Sequence, residues 1–529
     1  MADSSASRHI HIPHWTRRYG TGGFLVIILV GAVYAISSLT SDLIESPSGN
    51  LLVFLLLGVA LLIALGFEFV NGFHDTANAV ATVIYTHSLP AYVAVVWSGM
   101  FNFLGVLLSS GAVAFGIISL LPVELILQVG THAGFAMVFA LLIAAIIWNL
   151  GTWYLGLPSS SSHTLIGSII GVGLMNQMMA LGNTGTSGVD WDQAIDIGKS
   201  LLFSPLVGFF AAGLLLIICK AIIRVPALYQ APKDSQPPPL WIRGLLILTC
   251  TGVSFAHGSN DGQKGMGLIM LILIGTVPTA YALNHSVGKD QVEVFVSDAA
   301  RAVKALEPHG GNAPLSGEAY QILTTTVEKR APQAETVPAL SKMIADTAAS
   351  VAAYGSLAAV PTASTANVRN EMYLISETLS VLKKKNALSL TPPQQADLDS
   401  YKKDIDNATK FIPTWVKVAV AIALGLGTMV GWKRIVVTVG ERIGKTRMTY
   451  AQGASAELVA MATIGAADMY GLPVSTTHVL SSGVAGTMAA NRSGLQMSTV
   501  RNLLAAWVLT LPASIALAGG LFWLFRHLV

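Results

Sequence analysis

The chain has 529 residues, of which 53% are hydrophobic and only 11% are charged, and its mean hydropathy is +0.62. Ordinary globular proteins have about 25% charged residues, so a soluble protein of this composition could not cover its surface. The net charge of +3, without any basic cluster, gives no case for a nucleic-acid partner. The composition therefore predicts an all-α polytopic protein whose main partner is the lipid bilayer.

Residues 1–50 predict a polar N-terminal tail followed by an extra first span near 23–41. A basic start before an apolar run also fits a signal peptide. The length of the run favours a span that is retained. Cys219 and Cys250 each lie in or beside an apolar segment, and we interpret them as free thiols that form no disulfide and bind no metal.

About 20 apolar residues cross a bilayer, and the apolar runs predict about ten to twelve membrane segments. Short pieces that begin with polar residues are predicted to form re-entrant hairpins, and they lie near 73–87, 159–181 and 474–490. The long candidate segments lie near 23–41, 51–70, 90–120, 132–156, 195–223, 240–257, 264–284, 412–431, 450–471 and 499–526.

The character of the chain changes between residues 285 and 411. This stretch has no 20-residue apolar run, and its 13 Lys and Arg nearly balance its 14 Asp and Glu. Amphipathic patterns within it predict a soluble helical insert. We therefore expect a first membrane repeat at 51–230, the start of a second repeat at 240–284, the insert at 285–411 and the rest of the second repeat at 412–529.

Two motifs occur twice in the same order. "NGFHD" from Asn71 matches "HGSND" from His257 at an offset of 186, and "LPSSSSH" from Leu157 matches "LPVSTTH" from Leu472 at an offset of 315. The two offsets differ by 129, which is almost the length of the insert. We therefore predict two repeats, with the insert lying between the motifs of the second one.

Loop charges predict the orientation of the chain. The loop 432–447 and the stretch between 220 and 243 are basic, which places them and the N-terminus in the cytoplasm and the insert outside. On this orientation the two repeats start on opposite sides of the membrane. Inverted repeats with broken helices are typical of secondary transporters, whose binding site lies near the midplane.

Asp75 and Asp261 hold equivalent places in the two repeats, each beside glycine and an amide. A carboxylate inside the bilayer costs at least about 2.5–3.5 kcal/mol, so it needs a function or a route to the interface. Snorkelling to the membrane surface is the structural alternative. The repeated context favours a site that holds a small cation or accepts protons.

The second motif suits an anion. Pro158 and Pro473 suit the first positions of a helix, and hydroxyl residues follow each of them. Hydroxyls and free N–H groups at a helix start bind anions, with ordinary helix capping as the alternative. A facing carboxylate would accept the P–OH proton of phosphate but would repel sulfate, so the pattern favours inorganic phosphate as the substrate.

The motifs "NGFHDTANA", "AHGSNDGQKG", "PSSSSHTLIG" and "PVSTTHVLSSGVAG" together resemble the PiT family of inorganic phosphate transporters, most closely its bacterial low-affinity type. The likeness covers about 60 to 529 apart from the insert. It implies a protein of the bacterial inner (plasma) membrane and a phosphate site formed by the Asn-Asp motifs and the hydroxyl-rich hairpins. The implied ligands are Asp75, Asn78, Asn260, Asp261, Ser160, Ser161, Ser162, Ser475, Thr476 and Thr477.

The second Asn-Asp motif departs from the sodium-coupled relatives, because Lys264 stands where they have asparagine. Its ammonium is expected to pair with Asp261 and to replace a sodium ion, which favours the proton as coupling cation and metal-complexed phosphate as cargo. Asn102 stands where the relatives often have glutamate, and Glu457 is interpreted as the retained second-half analogue. We expect no cofactor and no resident metal.

Three more residues are candidates for coupling. His163 and His478 follow the hydroxyls at equivalent positions, where a proton-handling role competes with simple backbone hydrogen bonding. Glu68 lies seven residues before Asp75, on the same helical face, where a structural pairing is the alternative.

Other functions stay open at this stage. The first is a sulfate or other oxyanion permease, and the second is a sodium-coupled phosphate symporter. A channel or a receptor that senses a ligand through the insert belongs to another class. An enzyme is disfavoured because no nucleophile–base pair is evident. A homodimer is compatible with the sequence.

Overall fold

The structure is a computed structural model that describes residues 14–44, 51–121, 132–180, 189–232 and 236–528. These ranges are built from helices, with one isolated bridge between Gly444 and Leu495. The polar tail predicted before residue 14 lies outside the described residues. The first half consists of α1 (His14–Ile44), α2 (Leu51–Tyr85), α3 (Ala91–Leu108), α4 (Ala112–Ile118), α5 (His132–Tyr154), α6 (Ser161–Met179) and α7 (Trp191–Ile222).

The second half begins with one long helix, continues through the insert and ends with four further helices. Short helices at Pro278–Tyr281 and Lys433–Val437 connect larger elements. The named helices are α8 (Leu240–Thr276), α9 (Lys289–Leu306), α10 (Ala319–Lys329), α11 (Thr336–Tyr354), α12 (Thr362–Lys384), α13 (Pro392–Thr409), α14 (Thr414–Thr428), α15 (Tyr450–Met469), α16 (Thr476–Ala490) and α17 (Met497–Leu528).

Within the described ranges, seven helices are long and apolar enough to cross a membrane: α1, α2, α3, α5, α7, α8 and α17. Their outward surfaces carry many exposed Leu, Ile, Val and Phe side chains, which water would not tolerate but lipid accepts. The prediction of an all-helical, multi-pass membrane protein is confirmed. The predicted extra first span is a helix that packs on α14, where Ile422 meets Gly31.

The predicted breaks at the two Asn-Asp motifs are wrong, because α2 runs unbroken through Asp75 and α8 runs unbroken through Asp261. The motif glycines serve close packing instead. A Cβ added to Gly72 would lie 2.3 Å from the Leu424 carbonyl oxygen, and one added to Gly258 would lie 2.1 Å from that of Asn102. Glycine costs about 1 kcal/mol relative to alanine inside a helix, so it is tolerated where a neighbouring backbone must approach.

Helices of the two predicted repeats pack reciprocally. α2 lies against α14 while α8 lies against α3, and α6 lies against α17 while α16 lies against α7. Each motif helix also contacts the hairpin of its own repeat, formed by α5 and α6 or by α15 and α16. Both hairpin turns contain a left-handed glycine, Gly156 at φ 68° and Gly471 at φ 66°. This pairing supports the predicted repeat, and its inversion across the membrane stays a prediction.

The segment predicted as an insert contains α9 to α13, which pack on one another. Its two ends lie together, since the Asn284 backbone N–H donates to the Ala408 carbonyl at 2.8 Å. Arg330 of the insert bridges Asp190, the N-cap of α7, and Glu377 at 2.9 and 3.0 Å. Burial opposes the charge of Arg330, but these two carboxylates raise its pKa above the ordinary value. The insert is therefore fastened by charge to the start of α7.

Candidate functional site

The Asp75 carboxylate is the point where both hairpins meet a motif helix. Ser161, the first residue of α6, donates to its Oδ2 at 2.7 Å, and Thr477 of α16 donates to its Oδ1 at 2.6 Å. Asp75 is buried, at 2% exposure. Hydroxyls separated by more than 300 residues thus converge on one carboxylate, as expected if the two predicted hairpin motifs contribute to one site.

Asp261 lies beside this centre on α8. The Lys264 ammonium is 2.8 Å from its Oδ2 and also donates to the Ser162 hydroxyl at 2.5 Å. Ser161 approaches the same Oδ2 at 3.4 Å. Their contact confirms the pairing predicted from their spacing. Both side chains are fully buried. Ionised groups in such a place need partners, and each supplies one to the other.

The hairpin starts present hydroxyls in two different roles. Ser160 and Ser475 are the N-caps of α6 and α16, and each accepts a hydrogen bond from a backbone N–H three residues later at 3.1 Å. Ser162 donates to the Val474 carbonyl at 2.6 Å and so joins the two hairpins. The Thr476 hydroxyl is buried and has no hydrogen-bond partner among the described residues. The starts therefore combine fixed caps with one uncommitted donor.

The two asparagines of the motifs have different outcomes. The Asn260 amide donates to the Leu472 carbonyl at 3.1 Å and accepts from the Val474 N–H at 3.5 Å. It therefore holds the second hairpin in place through backbone groups. The side chain of Asn78 lies outside the described residues.

His257 was not identified as a site residue from the sequence, but the structure places it against the Asp pair. Its Nδ1 is 2.9 Å from the Asn102 Oδ1, and an amide oxygen only accepts, so Nδ1 carries the proton. Nε2 is then the unprotonated nitrogen. It lies 3.5 Å from the Asp261 Oδ2 and has no hydrogen-bond partner among the described residues. Ligand atoms of Asp75, His257 and Asp261 all lie within 4.8 Å of one another. These are donor types that bind divalent metals.

His74 was also missed. Its Nδ1 lies 3.0 Å from Asp75, and its Nε2 lies 3.2 Å from Thr152 and 3.3 Å from Ser159 of the first hairpin. The signal available in the sequence was a histidine within one helical turn of each motif acid, since His74 directly precedes Asp75 and His257 comes four residues before Asp261. A single histidine is weak evidence for a site, but a histidine in each of two matching motifs indicates a functional position.

His163 and His478 contact each other from the first turns of α6 and α16. Their ring centroids are 4.7 Å apart, and the His478 ring stacks on Trp507 with centroids 4.0 Å apart. His163 Nδ1 and His478 Nε2 are buried atoms without hydrogen-bond partners in the described part of the chain. The equivalent positions predicted from the motifs therefore come into direct contact behind the hydroxyls.

Two glutamates are buried among the helices, Glu68 on α2 and Glu457 on α15. Glu68 accepts from the Asn71 amide at 3.5 Å and lies against Gly265, where an added Cβ would be 2.4 Å from its Oε1. Glu457 accepts a hydrogen bond from Thr249. In the described ranges the second oxygen of each carboxylate has no hydrogen-bond partner. Both acids are fully buried.

The interpretation of Glu457 as the counterpart of Asn102 is wrong. Asn102 lies on α3, which precedes the first hairpin, whereas Glu457 lies on α15, the first limb of the second hairpin. In the order of elements α3 corresponds to α14, and α15 corresponds to α5. Asn102 instead orients His257 and donates to Thr428 of α14 at 3.1 Å.

These elements define a polytopic helical membrane protein in which two hairpins and two motif helices enclose a buried, charged site. A model of the phosphate transporter family matches residues 71–518. The chain belongs to this family.

Individual relatives agree over most of the chain. It is 44% identical over 491 residues to the low-affinity inorganic phosphate transporter PitA of Escherichia coli (strain K12), covering 89% of this chain and 96% of that protein. It is 28% identical over 467 residues to a probable low-affinity inorganic phosphate transporter of Bacillus subtilis (strain 168), covering 88% and 96%. A solved structure described as the sodium-dependent phosphate transporter covers 90% of this chain and 100% of its own, with 19% identity and a TM-score of 0.48.

Proposed function

We propose that this protein is a secondary transporter that takes up inorganic phosphate across the bacterial inner membrane, driven by protons. The observation that carries the proposal is the convergence of Ser161 and Thr477, from the two hairpins, on Asp75. Membership of the phosphate transporter family and the names of the relatives support the substrate. The basic loop 432–447 supports a cytoplasmic N-terminus and an insert that lies outside.

The donors around Asp75 suit a protonated phosphate. When phosphate arrives, the hydroxyls of Ser161, Thr477 and the uncommitted Thr476 turn to its oxygens, aided by the positive ends of α6 and α16. Asp75 is then free to accept a hydrogen bond from the P–OH group. Ser160, Ser475 and Asn260 keep the hairpins in shape, and Ser162 connects the anion to Lys264. Sulfate has no such proton at neutral pH and would face a repelling carboxylate.

Protons are the coupling ions best supported by the residues. Lys264 places a fixed positive charge on Asp261, where a sodium ion would otherwise compensate the carboxylate. Glu68 and Glu457 are buried acids of the helical bundle, each with one oxygen that has no hydrogen-bond partner among the described residues, and such groups carry protons through membrane proteins. The His163–His478 contact offers a further place for a proton.

The cargo proposed is phosphate complexed with a divalent metal. When all three groups are ionised, Asp75, Asp261 and Lys264 sum to one negative charge. A neutral complex of a divalent cation with hydrogen phosphate leaves that sum unchanged, so the low-dielectric site gains no net charge. The metal would lie against Asp75, Asp261 and the His257 Nε2, as part of the substrate.

Changing His257 to asparagine tests this cargo. Asparagine keeps a donor near the place of Nδ1, so the hydrogen bond to Asn102 survives while the Nε2 ligand is removed. We expect co-uptake of labelled zinc or manganese with phosphate to fall at least about tenfold, because one of three metal ligands is lost. Wild-type phosphate uptake should also fall when EDTA removes divalent metal. Unchanged uptake in EDTA, without metal movement, would identify free phosphate as the cargo.

The experiment that tests the proposed function is uptake of labelled phosphate into proteoliposomes. Imposed proton and sodium gradients are applied separately, and sulfate is added as a competitor. A proton gradient alone should drive uptake, and excess sulfate should leave it nearly unchanged. Phosphate uptake driven by a sodium gradient alone would support a sodium-coupled phosphate symporter. Competition by sulfate equal to that by unlabelled phosphate would support a general oxyanion permease.

The insert should be dispensable for the transport step. We propose that it is an extracytoplasmic domain, and its ends already meet at Asn284 and Ala408. Replacing about 290–408 by a short Gly/Ser linker should leave measurable phosphate uptake, because the motif residues lie elsewhere. Removal also frees Asp190 from Arg330, so Asp190→Asn in the shortened chain serves as the matched control. Complete loss of uptake in a well-inserted protein would make the insert part of the pathway.

A further inference from the structure

Each motif helix touches its own hairpin at one further pair of positions that the proposed transport chemistry does not use. Phe73 on α2 contacts Trp153 on α5, with ring centroids 5.2 Å apart. Ser259 on α8 donates to Asp468 on α15 at 2.6 Å. The repeat offsets make these pairs equivalent, since 186 separates Phe73 from Ser259 and 315 separates Trp153 from Asp468. One place in the fold is therefore occupied by an aromatic pair in one repeat and by a hydrogen-bonded acid in the other.

The Asp468 contact is a small network. The Gln263 amide donates to its second oxygen at 2.6 Å, and the Gln263 oxygen accepts from the Val113 N–H at the start of α4 at 2.9 Å. Asp468 is only partly buried, and it lies three residues before the hairpin turn at Gly471. This network ties α8, α4 and the tip of the second hairpin together. We name Ser259, Gln263 and Asp468 the polar latch.

The aromatic contact is also tied to a neighbouring segment. The Trp153 Nε1 donates to the Gly431 carbonyl at 2.8 Å, and the Arg434 guanidinium lies 5.1 Å from the Trp153 ring. Gly431 is left-handed at φ 71°, and an added Cβ would lie 3.2 Å from both Phe73 and Trp153. We name Phe73 and Trp153 the aromatic latch.

The two latches lie toward different ends of the molecule. The aromatic latch adjoins Arg434, in the basic loop 432–447. Near the polar latch, Gly471 packs on Ala112, and the neighbouring Gly116 carbonyl accepts from Gln193, which Lys384 of the insert also contacts. The described structure holds both latches closed around the buried Asp75 and Asp261.

We infer that these latches are the two closures of the transport pathway: the polar latch seals the site toward the insert, and the aromatic latch seals it toward the basic loop. The inference rests on the proposed transport function, because only a transporter must expose one site to each side in turn. The chemistry differs as the two sides require. Hydrogen bonds to a partly exposed carboxylate exchange readily with water, whereas an apolar pair excludes it.

Cysteine labelling from each side tests the assignment. Thr476→Cys is the reporter, since the Thr476 hydroxyl has no described partner to lose, and Cys219 and Cys250 are replaced by Ser and Ala. A membrane-impermeant thiol reagent is applied to the insert side or to the basic-loop side, without phosphate. Asp468→Ala should raise labelling from the insert side at least about tenfold, because two hydrogen bonds to a charged acceptor are lost. Trp153→Ala, the matched variant, should raise it only from the other side.

A reversible cross-link provides the second measurement. Ser259→Cys with Asp468→Cys should form a disulfide that blocks labelling from the insert side, and a reductant should restore it. Equal labelling changes from both sides, or no change in either variant, would overturn the inference, as would free labelling from the insert side through a closed disulfide. Because no substrate is added, failure of phosphate uptake would leave this outcome readable.

Discussion

Asp75→Asn and Asp261→Asn should each reduce phosphate uptake at least about 100-fold while membrane insertion stays normal. Asp75 accepts from Ser161 and Thr477, and its loss removes the acceptor proposed for the P–OH group. The hydrogen bond from P–OH to a charged acceptor contributes about 1.5–3 kcal/mol, and loss of a group at a metal site costs about 10–100-fold in affinity, so the two losses together predict a decrease of this size. Labelled phosphate uptake, normalised to protein in the membrane, measures it.

The two variants should differ in stability, which separates the site from the fold. Asp75→Asn removes a buried charge and leaves no unpaired ammonium behind. Asp261→Asn leaves Lys264 buried without its carboxylate, which costs about 3–5 kcal/mol in comparable cases, so its melting temperature in detergent should fall. Asp196→Asn, in an exposed acid of α7, is the control and should transport at the wild-type rate. Wild-type transport by both site variants would refute the assignment.

Residue spacing predicted which side chains gather at the site because the same two motifs recur. A repeat that folds the same way twice places its motifs around a common centre, and Ser161 of one hairpin and Thr477 of the other do meet on Asp75. The offset of 315 pairs Ser161 with Thr476, so the two hairpins reach Asp75 from positions that differ by one residue. The Lys264–Asp261 pair followed from helical spacing alone. The repeated motifs and the helical spacing are both visible in a single sequence, so these two contacts could be predicted from it.

The remaining features depend on neighbours that are distant in the chain. Glycine beside an acid predicted a helix break, but whether Gly72 breaks a helix or receives another backbone depends on Leu424, 352 positions later. Asp468 gave no signal in the sequence, since a single acid near a helix end is usually a solvated residue. Its role became visible only when Ser259 and Gln263 lay against it. The equivalence proposed for Asn102 and Glu457 failed because it relied on the family resemblance at single positions, whereas the order of helices decides it.

Lys264→Asn should lose proton-driven uptake and gain a dependence on sodium. The Lys264 ammonium joins Asp261 at 2.8 Å to Ser162 at 2.5 Å, and Ser162 in turn binds the Val474 carbonyl of the other hairpin. Asparagine removes the fixed cation, so Asp261 then requires a mobile cation. It is also the residue that the resemblance to the PiT family implies for sodium-coupled members at this position. Uptake of labelled phosphate under separate proton and sodium gradients measures the change.

Lys264→Ala should be inactive under both gradients. Alanine gives Asp261 no positive partner, and it offers no amide oxygen that could help to bind sodium. Lys417→Ala is the matched control: this lysine of α14 donates to the Ser109 carbonyl, away from the Asp pair, and its loss should preserve proton-driven uptake. Breaking a buried pair costs about 3–5 kcal/mol, so each variant needs a check that folded protein reaches the membrane. If folded Lys264→Asn and Lys264→Ala proteins both keep full proton-driven uptake, the ammonium does not stand in for sodium, and the case for proton coupling must then rest on Glu68, Glu457 and the histidine pair.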